Sequence, residues 1–162
     1  MHGVVFYSRY GRGDYGYQGD ICIDNFIHTY AGVELRLKMH EIMSMQGHEE
    51  ETGKAKITSG YNLPAKYILH TVGPIIQWTV TREDEELLAS CYRECLKLAT
   101  DTGVESIAFC CLSTGVFRFP QKRAAEIATE TVKEFLDQDD RINKVIFNVF
   151  KDEDLEIYRS LL

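Results

Sequence analysis

The sequence predicts an α/β fold, a three-layer α/β/α sandwich with a central mixed sheet. Short apolar strand candidates alternate with longer segments of helical spacing, which is the pattern of such a domain. The run S-I-A-F-C-C-L, at residues 106–112, is continuously apolar, as expected for a strand covered on both faces. A length of 162 residues suits a single domain with one core.

Each predicted element rests on a local pattern. Gly32 is expected to divide a helical segment in two, and Gly103 to end a helix that begins at a capping box over residues 81–84, with Asp in place of the usual Glu. In chain order, the expected elements are a short strand at 4–7, the divided helix over 23–46, strands at 56–59 and 67–71, the capped helix, a strand at 107–112, a helix over 121–136, a buried strand at 145–150 and a short helix ending at 162.

Residues 1–19 differ in composition from the rest of the chain. They contain five of the twelve glycines and four of the nine tyrosines. Apart from the short strand, this composition favours loop structure. The sequence therefore predicts a divergent Gly/Tyr-rich segment over 1–19 and an ordinary folded domain over 20–162.

The overall composition excludes several classes of protein. A net charge of −7 argues against nucleic acid or a membrane surface as the partner. No apolar run approaches the ~20 residues of a membrane span, and the first residues lack a signal-peptide pattern. The five cysteines form no disulfide framework, so reduced thiols in the cytoplasm are expected. Cys91 and Cys95 fall on an apolar helical stripe and are expected in the core.

The loop L-S-T-G-V-F-R-F-P, at residues 112–120, follows the most apolar strand candidate. Ligands of open α/β sheets bind beyond the carboxyl ends of the strands. Gly115 can adopt positive φ, successive N–H groups can form an anion site, and Phe117 can supply an apolar wall. Pro120 suits the first turn of the next helix, whose positive end would face the same region. An ordinary strand-to-helix turn would contain the same residue types, so both interpretations stay open here.

Three separate blocks resemble the macrodomain family. They read G-Y-N-L-P-A-K-Y-I-L-H-T-V-G-P-I, S-I-A-F-C-C-L-S-T-G-V-F-R-F-P and V-I-F-N-V-F-K-D-E-D. The segment C-I-D-N-F-I-H-T-Y-A-G-V-E-L-R is most similar to the microbial branch with a zinc-containing site, whose members resemble protein mono-ADP-ribosyl hydrolases. The resemblance runs from Cys22 to the end of the chain.

The resemblance implies ADP-ribose, free or attached to a protein, as the partner, and hydrolysis of mono-ADP-ribose from modified proteins as the activity. Asp24 matches the acidic residue that positions or deprotonates the attacking water. Taken alone, Asp24 is equally an acid that stabilises a helix start. The implied ligand-binding residues are Cys22, Ile23, Asn25, Ser113, Thr114, Gly115, Val116, Phe117 and Phe150. Phe150 matches the residue that packs on adenine.

The N-terminal segment departs from the family pattern. Neither the Asp that reads adenine nor the N-A-A-N segment has a match in residues 1–19, so we expect a macrodomain lacking its first one or two strands. Of the zinc ligands in that branch, Cys22 matches the last, while Tyr15 and Asp20 stand at the other two positions. Because zinc needs three or four protein ligands, Cys22 and Asp20 leave the set incomplete.

Two other functions are compatible with these departures. The chain can be a module that binds ADP-ribose without turnover, or an inactive truncated macrodomain. A sheet edge exposed by the N-terminal gap would favour a homodimer.

Overall fold

The computed structural model describes the backbone of residues 2–7 and the whole of residues 23–162. The elements are β1 (His2–Tyr7), α1 (Ile23–Ala31), α2 (Val33–Gln46), β2 (Ala55–Ser59), β3 (Tyr67–Thr71), α3 (Arg82–Asp101), β4 (Ser106–Cys110), α4 (Gln121–Leu136), β5 (Lys144–Asn148) and α5 (Asp152–Leu161). Within the described part of the chain, no helix has the length and apolar character needed to cross a membrane.

The five strands found in the described residues form one mixed sheet in the order β2-β3-β1-β4-β5. β2 is antiparallel to β3, whereas β1 is parallel to both β3 and β4, and β5 is parallel to β4. The predicted mixed sheet and the predicted strand near residues 4–7 are thus confirmed. Among the described strands, β2 and β5 lie at the edges of this sheet. The homodimer that we expected from an exposed sheet edge stays a prediction. The four parallel strands end at one side of the sheet, called here the carboxyl edge.

Two apolar clusters lie on opposite faces of the sheet. Neighbouring residues of β3 show the division, because successive side chains in a strand point to opposite faces. Ile68 is buried with Leu35 and Met39 under α1 and α2. Leu69 belongs to the larger cluster, which includes side chains of α3, α4 and α5. Helices therefore cover both faces, and the predicted three-layer sandwich is confirmed.

The predicted helix boundaries follow local chemistry. Gly32, with φ of 93°, separates α1 from α2. Thr81 and Asp84 form the predicted capping box: the Asp84 N–H donates to Thr81 Oγ1 at 3.2 Å, and the Thr81 N–H donates to Asp84 Oδ2 at 2.8 Å. Gly103, with φ of 72°, follows the end of α3, in the left-handed conformation that glycine adopts easily.

The prediction of a buried strand over residues 145–150 is wrong in its burial and its end. β5 ends at Asn148, and its residues alternate between exposed and partly buried, because β5 lies at an edge with one face uncovered. Ile146 is exposed, whereas Phe147 packs against Tyr158 with ring centroids 4.9 Å apart. β4 likewise ends at Cys110, two residues before the predicted end.

Candidate functional site at the carboxyl edge

Two segments that follow parallel strands carry predicted site residues to the carboxyl edge. The β4–α4 loop, residues 111–120, follows β4, and the β5–α5 turn, residues 149–151, follows β5. These segments contain the predicted residues Ser113 to Phe117 and Phe150. In a parallel sheet this edge is where ligands bind, so the fold places both segments in the expected region.

The start of α1 lies at the same edge. At the other end of this helix, the Ala31 carbonyl accepts a hydrogen bond from the Asn62 N–H at 3.3 Å, in the loop that leads into the beginning of β3. The nine residues of α1 extend about 13 Å from there, at 1.5 Å per residue. Ile23 contacts the apolar clusters of both faces, as a residue must at the rim of the sheet. Asp24, in the first turn of α1, therefore lies at the carboxyl edge, where the β4–α4 loop also lies.

Two buried aromatic rings hold the β4–α4 loop in place. Phe117 and Phe119 are both buried in the larger apolar cluster. The Phe119 N–H donates to the Ser113 carbonyl at 3.0 Å, and the Arg118 N–H donates to the Gly115 carbonyl at 3.0 Å. The loop is thus fixed before any ligand arrives. Phe117 packs into the core with 6% of its surface exposed, and its role as an apolar wall beside a ligand stays a prediction.

The backbone strain of this loop is not at the predicted residue. We expected Gly115 to adopt positive φ, but Ser113 and Arg118 do so, each with φ of 61°. Residues other than glycine adopt this conformation at a cost of about 1–3 kcal/mol, and such residues cluster at functional sites. A Cβ added to Gly115 would meet no atom within 4 Å. The protein fold itself therefore does not require glycine at this position.

The loop presents hydrogen-bond donors that the described protein does not use. The backbone N–H groups of Ser113, Thr114, Gly115 and Val116 donate to no group in the described residues. Ser113 is only 5% exposed, and its buried Oγ likewise has no partner there. An unsatisfied buried hydroxyl costs about 1–3 kcal/mol. Consecutive free N–H groups next to a buried hydroxyl are donors of the kind that bind an anion.

Asp24 lies in the first turn of α1, beside His28. Its Oδ1 is 3.6 Å from His28 Nε2, and the Asp24 side chain is 23% exposed, whereas that of His28 is only 4% exposed. Burial, together with the nearby charge of Arg36, lowers the pKa of His28 from 6.5 to about 4. His28 is therefore neutral at pH 7 and adds no positive charge beside the partly exposed Asp24 carboxyl group.

A second buried histidine lies near His28. His70 Nε2 is 2.9 Å from Thr58 Oγ1, whereas His70 Nδ1 has no partner in the described residues. Burial, with a smaller effect of His28, lowers the pKa of His70 to about 3. Only one of the two ring nitrogens of His70 therefore has a hydrogen-bond partner among the described residues.

Several other predicted ligand-binding residues have exposed side chains at this edge. Phe150 is 98% exposed, and Val116 and Asn25 are also exposed. An isolated aromatic ring in solvent has a full face available for stacking.

The proposed zinc residues lie outside the described part of the chain. These are Cys22, which was also a predicted ligand-binding residue, and Asp20. Within the described residues, no three His, Cys, Asp or Glu side chains are grouped so that they could hold a metal. Two donors of mixed type do not fit a zinc site, and no catalytic step is assigned to zinc.

The remaining cysteines support the packing interpretation. Cys91 and Cys95 are fully buried on α3, as predicted. Burial raises the pKa of the Cys91 thiol to about 11 and that of Cys111 to about 12. Both are therefore protonated and unreactive at neutral pH.

The sequence analysis did not identify a third segment at this edge. The β3–α3 loop, residues 72–81, follows β3, and its Ile76 N–H donates to the Phe117 carbonyl at 2.9 Å. Gly73-Pro74 predicted a turn at this point, but nothing in the sequence indicated that the turn would join the β4–α4 loop.

Comparison with known families identifies the family of the chain. The Macro domain family model matches residues 15–128. The chain belongs to the macrodomain family. The match begins inside the Gly/Tyr-rich segment, and the division of the chain at residues 19 and 20 stays a prediction.

Similar proteins from bacteria align over most of this macrodomain. A protein-ADP-ribose hydrolase of Staphylococcus aureus (strain MRSA252) is 58% identical over 140 residues, covering 86% of this chain and 53% of that protein. A protein-ADP-ribose hydrolase of Treponema medium is 56% identical over 141 residues, covering 87% of this chain and 54% of that protein. The chain thus spans about half the length of these curated relatives.

Solved macrodomains have the same fold. An Oceanobacillus iheyensis macrodomain with MES bound superposes with a TM-score of 0.85 at 37% identity, covering 98% of this chain and 82% of that one. A mutant of that macrodomain with ADPR also gives a TM-score of 0.85, at 38% identity, covering 98% of this chain and 83% of that one.

Proposed function

We propose that this macrodomain binds ADP-ribose at the carboxyl edge and hydrolyses the bond between mono-ADP-ribose and a modified protein. The similar proteins named protein-ADP-ribose hydrolase support the activity, and the solved macrodomain with ADPR supports the ligand. The described cysteines form no disulfides, which fits the cytoplasm, the location we propose for it.

The observation that carries this proposal is the set of unused donors in the β4–α4 loop. Four consecutive N–H groups and the buried Ser113 hydroxyl have no acceptor in the described protein. A diphosphate carries negative charge and several acceptor oxygens, and hydrogen bonds to an ionised acceptor are the stronger kind. Gly115 has no Cβ and lies in open space, so a ligand can approach its backbone directly.

Phe150 accounts for the other end of the ligand. Its exposed ring lies beyond β5, on the far side of the β4–α4 loop from β3. An adenine stacked on this ring would cover apolar surface that is otherwise in water. The adenine, the diphosphate and the distal ribose would then follow the carboxyl edge from β5 toward β3.

Asp24 supplies the chemistry at the distal ribose. The oxygen of a water molecule attacks the anomeric carbon, and the bond from this carbon to the protein side chain breaks. The electron pair leaves with the side-chain atom, which takes up a proton. The transition state resembles an oxocarbenium ion, which a carboxylate stabilises, and the same carboxylate can accept the proton of the water. His28 lies beside Asp24 and, being neutral, adds no positive charge to it.

Two measurements on wild type and Asp24→Asn test this function. Calorimetric titration of ADP-ribose measures binding, and single-turnover release of ADP-ribose from a mono-ADP-ribosylated protein measures hydrolysis. We expect micromolar binding by both proteins, and a loss of release in the variant of about 10²-fold or more, typical for removal of a general base. Glu83→Gln is the matched control, because Glu83 is an exposed first-turn acid of α3.

Each outcome separates the alternatives. If Asp24→Asn and Glu83→Gln slow the release of ADP-ribose equally, Asp24 only stabilises a helix start. Binding of ADP-ribose with no release by the wild type would show a binding module. No binding by the wild type would refute the proposed site.

A further inference from the structure

The β3–α3 loop carries an exposed tryptophan that the proposed function leaves unexplained. Trp78 is 92% exposed and is the only tryptophan of the chain. Tryptophan is largely buried in most proteins, since its ring is a large apolar surface. Ile75, in the same loop, is 47% exposed. Both side chains therefore place apolar surface in water within four residues of each other.

The first part of this loop is anchored to its surroundings. Gly73, Pro74 and Ile76 are buried. The Ile76 N–H donates to the Phe117 carbonyl, which joins the loop to the β4–α4 loop. Residues 77–79, which include Trp78, follow this anchored part and are exposed, so the ring is accessible to a partner.

The strand order places Trp78 at one end of the carboxyl edge. The strands run β3-β1-β4-β5 along this edge, so the β3–α3 loop and Phe150 lie at opposite ends, with the β4–α4 loop between them. With adenine on Phe150 and the diphosphate on the β4–α4 loop, the distal ribose points toward β3. The protein attached to that ribose leaves the site on the same side. This step rests on the proposed function.

We propose that Trp78 and Ile75 bind the polypeptide next to the ADP-ribosylated side chain, and so contribute affinity for modified protein but not for free ADP-ribose. Val116 is also exposed, on the β4–α4 loop to which the β3–α3 loop is hydrogen-bonded. Tryptophan is enriched among the residues that dominate protein–protein binding energy. The partner is a protein already carrying ADP-ribose, because the β3–α3 loop is hydrogen-bonded to the β4–α4 loop, which is proposed to hold the nucleotide.

Kinetics of Trp78→Ala test the proposal. We expect unchanged affinity for free ADP-ribose in calorimetry, unchanged kcat on the ADP-ribosylated protein, and a KM raised by about tenfold or more, as for a central contact residue. Trp78→Phe should bring KM back close to the wild-type value. Such a recovery would show that the raised KM of Trp78→Ala does not come from a general loss of folding. Leu162→Ala is the control, because Leu162 is an exposed apolar residue at the far end of α5 and should change neither constant.

Fluorescence of the single tryptophan gives an independent measurement. In Asp24→Asn, titration with a tryptophan-free mono-ADP-ribosylated protein should shift the emission to shorter wavelength as the partner covers Trp78. Free ADP-ribose should leave the emission unchanged.

The two proposals fail in different ways. A wild type that turns over substrate while Trp78→Ala has the same KM overturns only this inference. An emission shift with free ADP-ribose alone also overturns it, because the ring would then contact the nucleotide. A wild type with neither binding nor release overturns the proposed function and this inference together.

Discussion

Gly115→Ala separates the requirements of the fold from those of the ligand. Gly115 lies outside the left-handed region, and an added Cβ would meet no atom within 4 Å. Where the backbone conformation suits alanine, this replacement stabilises a protein by about 0.4–1 kcal/mol, because the unfolded chain has fewer conformations. For a domain of this size, that raises Tm by roughly 1–4 °C.

Although Gly115→Ala should stabilise the fold, it should weaken the binding of ADP-ribose. The methyl group would occupy the space through which a diphosphate reaches the free N–H groups of the β4–α4 loop. Loss of one or two charge-assisted hydrogen bonds, at about 1.5–3 kcal/mol each, lowers affinity by at least tenfold. The assay is calorimetric titration of ADP-ribose, paired with thermal unfolding of the same preparations.

Gly103→Ala is the matched control for this experiment. Gly103 also has open space around its missing Cβ, but its φ of 72° is strained for alanine. We expect it to lose about 1 kcal/mol of stability and to keep its affinity for ADP-ribose. If Gly115→Ala binds ADP-ribose as tightly as the wild type, the ligand does not approach this backbone, and the assignment of the β4–α4 loop is refuted.

Three further predictions use the same assays. Ser113→Ala removes a buried hydroxyl without a partner in the described residues, so stability should rise by up to about 1 kcal/mol while ADP-ribose affinity falls; unchanged affinity would contradict its role. Thr81→Ala breaks the capping box and should cost about 1 kcal/mol, a fall in Tm of roughly 2–4 °C, without changing binding; an unchanged Tm would show that the cap contributes nothing. The pKa values of His28 and His70, about 4 and about 3 in the folded protein against an ordinary 6.5, mean that the unfolded chain takes up protons first. Stability in urea should therefore be fully present above pH 6.5 and fall as pH drops toward 4, and the dependence should be weaker in His70→Asn; a slope unchanged by this substitution would contradict the assignment.

Elements with strong local signals could be predicted from the sequence. β3 has the predicted bounds, and the capping box at Thr81 has both predicted hydrogen bonds. These features depend on residues within a few positions of each other. The central place of β1 could not be predicted, because it depends on pairing with two strands that lie more than fifty residues away in the chain.

The candidate site could be predicted in composition but not in conformation. The family resemblance indicated residues 113–117, yet the left-handed residues are Ser113 and Arg118. Their conformation is set by the burial of Phe117 and Phe119, a tertiary effect that no local pattern reports. The exposure of Trp78 was also missed, because exposure depends on how the loop packs in three dimensions.

The β4–α4 loop can keep its conformation without a ligand, because the burial of its aromatic rings offsets its backbone strain. Two left-handed residues together cost about 2–6 kcal/mol. Burial of Phe117 and Phe119 contributes about 3–6 kcal/mol, enough to offset this strain without any ligand. The free N–H groups are therefore held in place by core packing, and an arriving diphosphate need not supply the energy to order them. Because association otherwise loses free energy to loop ordering, this arrangement favours affinity. Truncation of Phe119 should then weaken ADP-ribose binding even though its buried ring lies in the core, away from the loop's free donors.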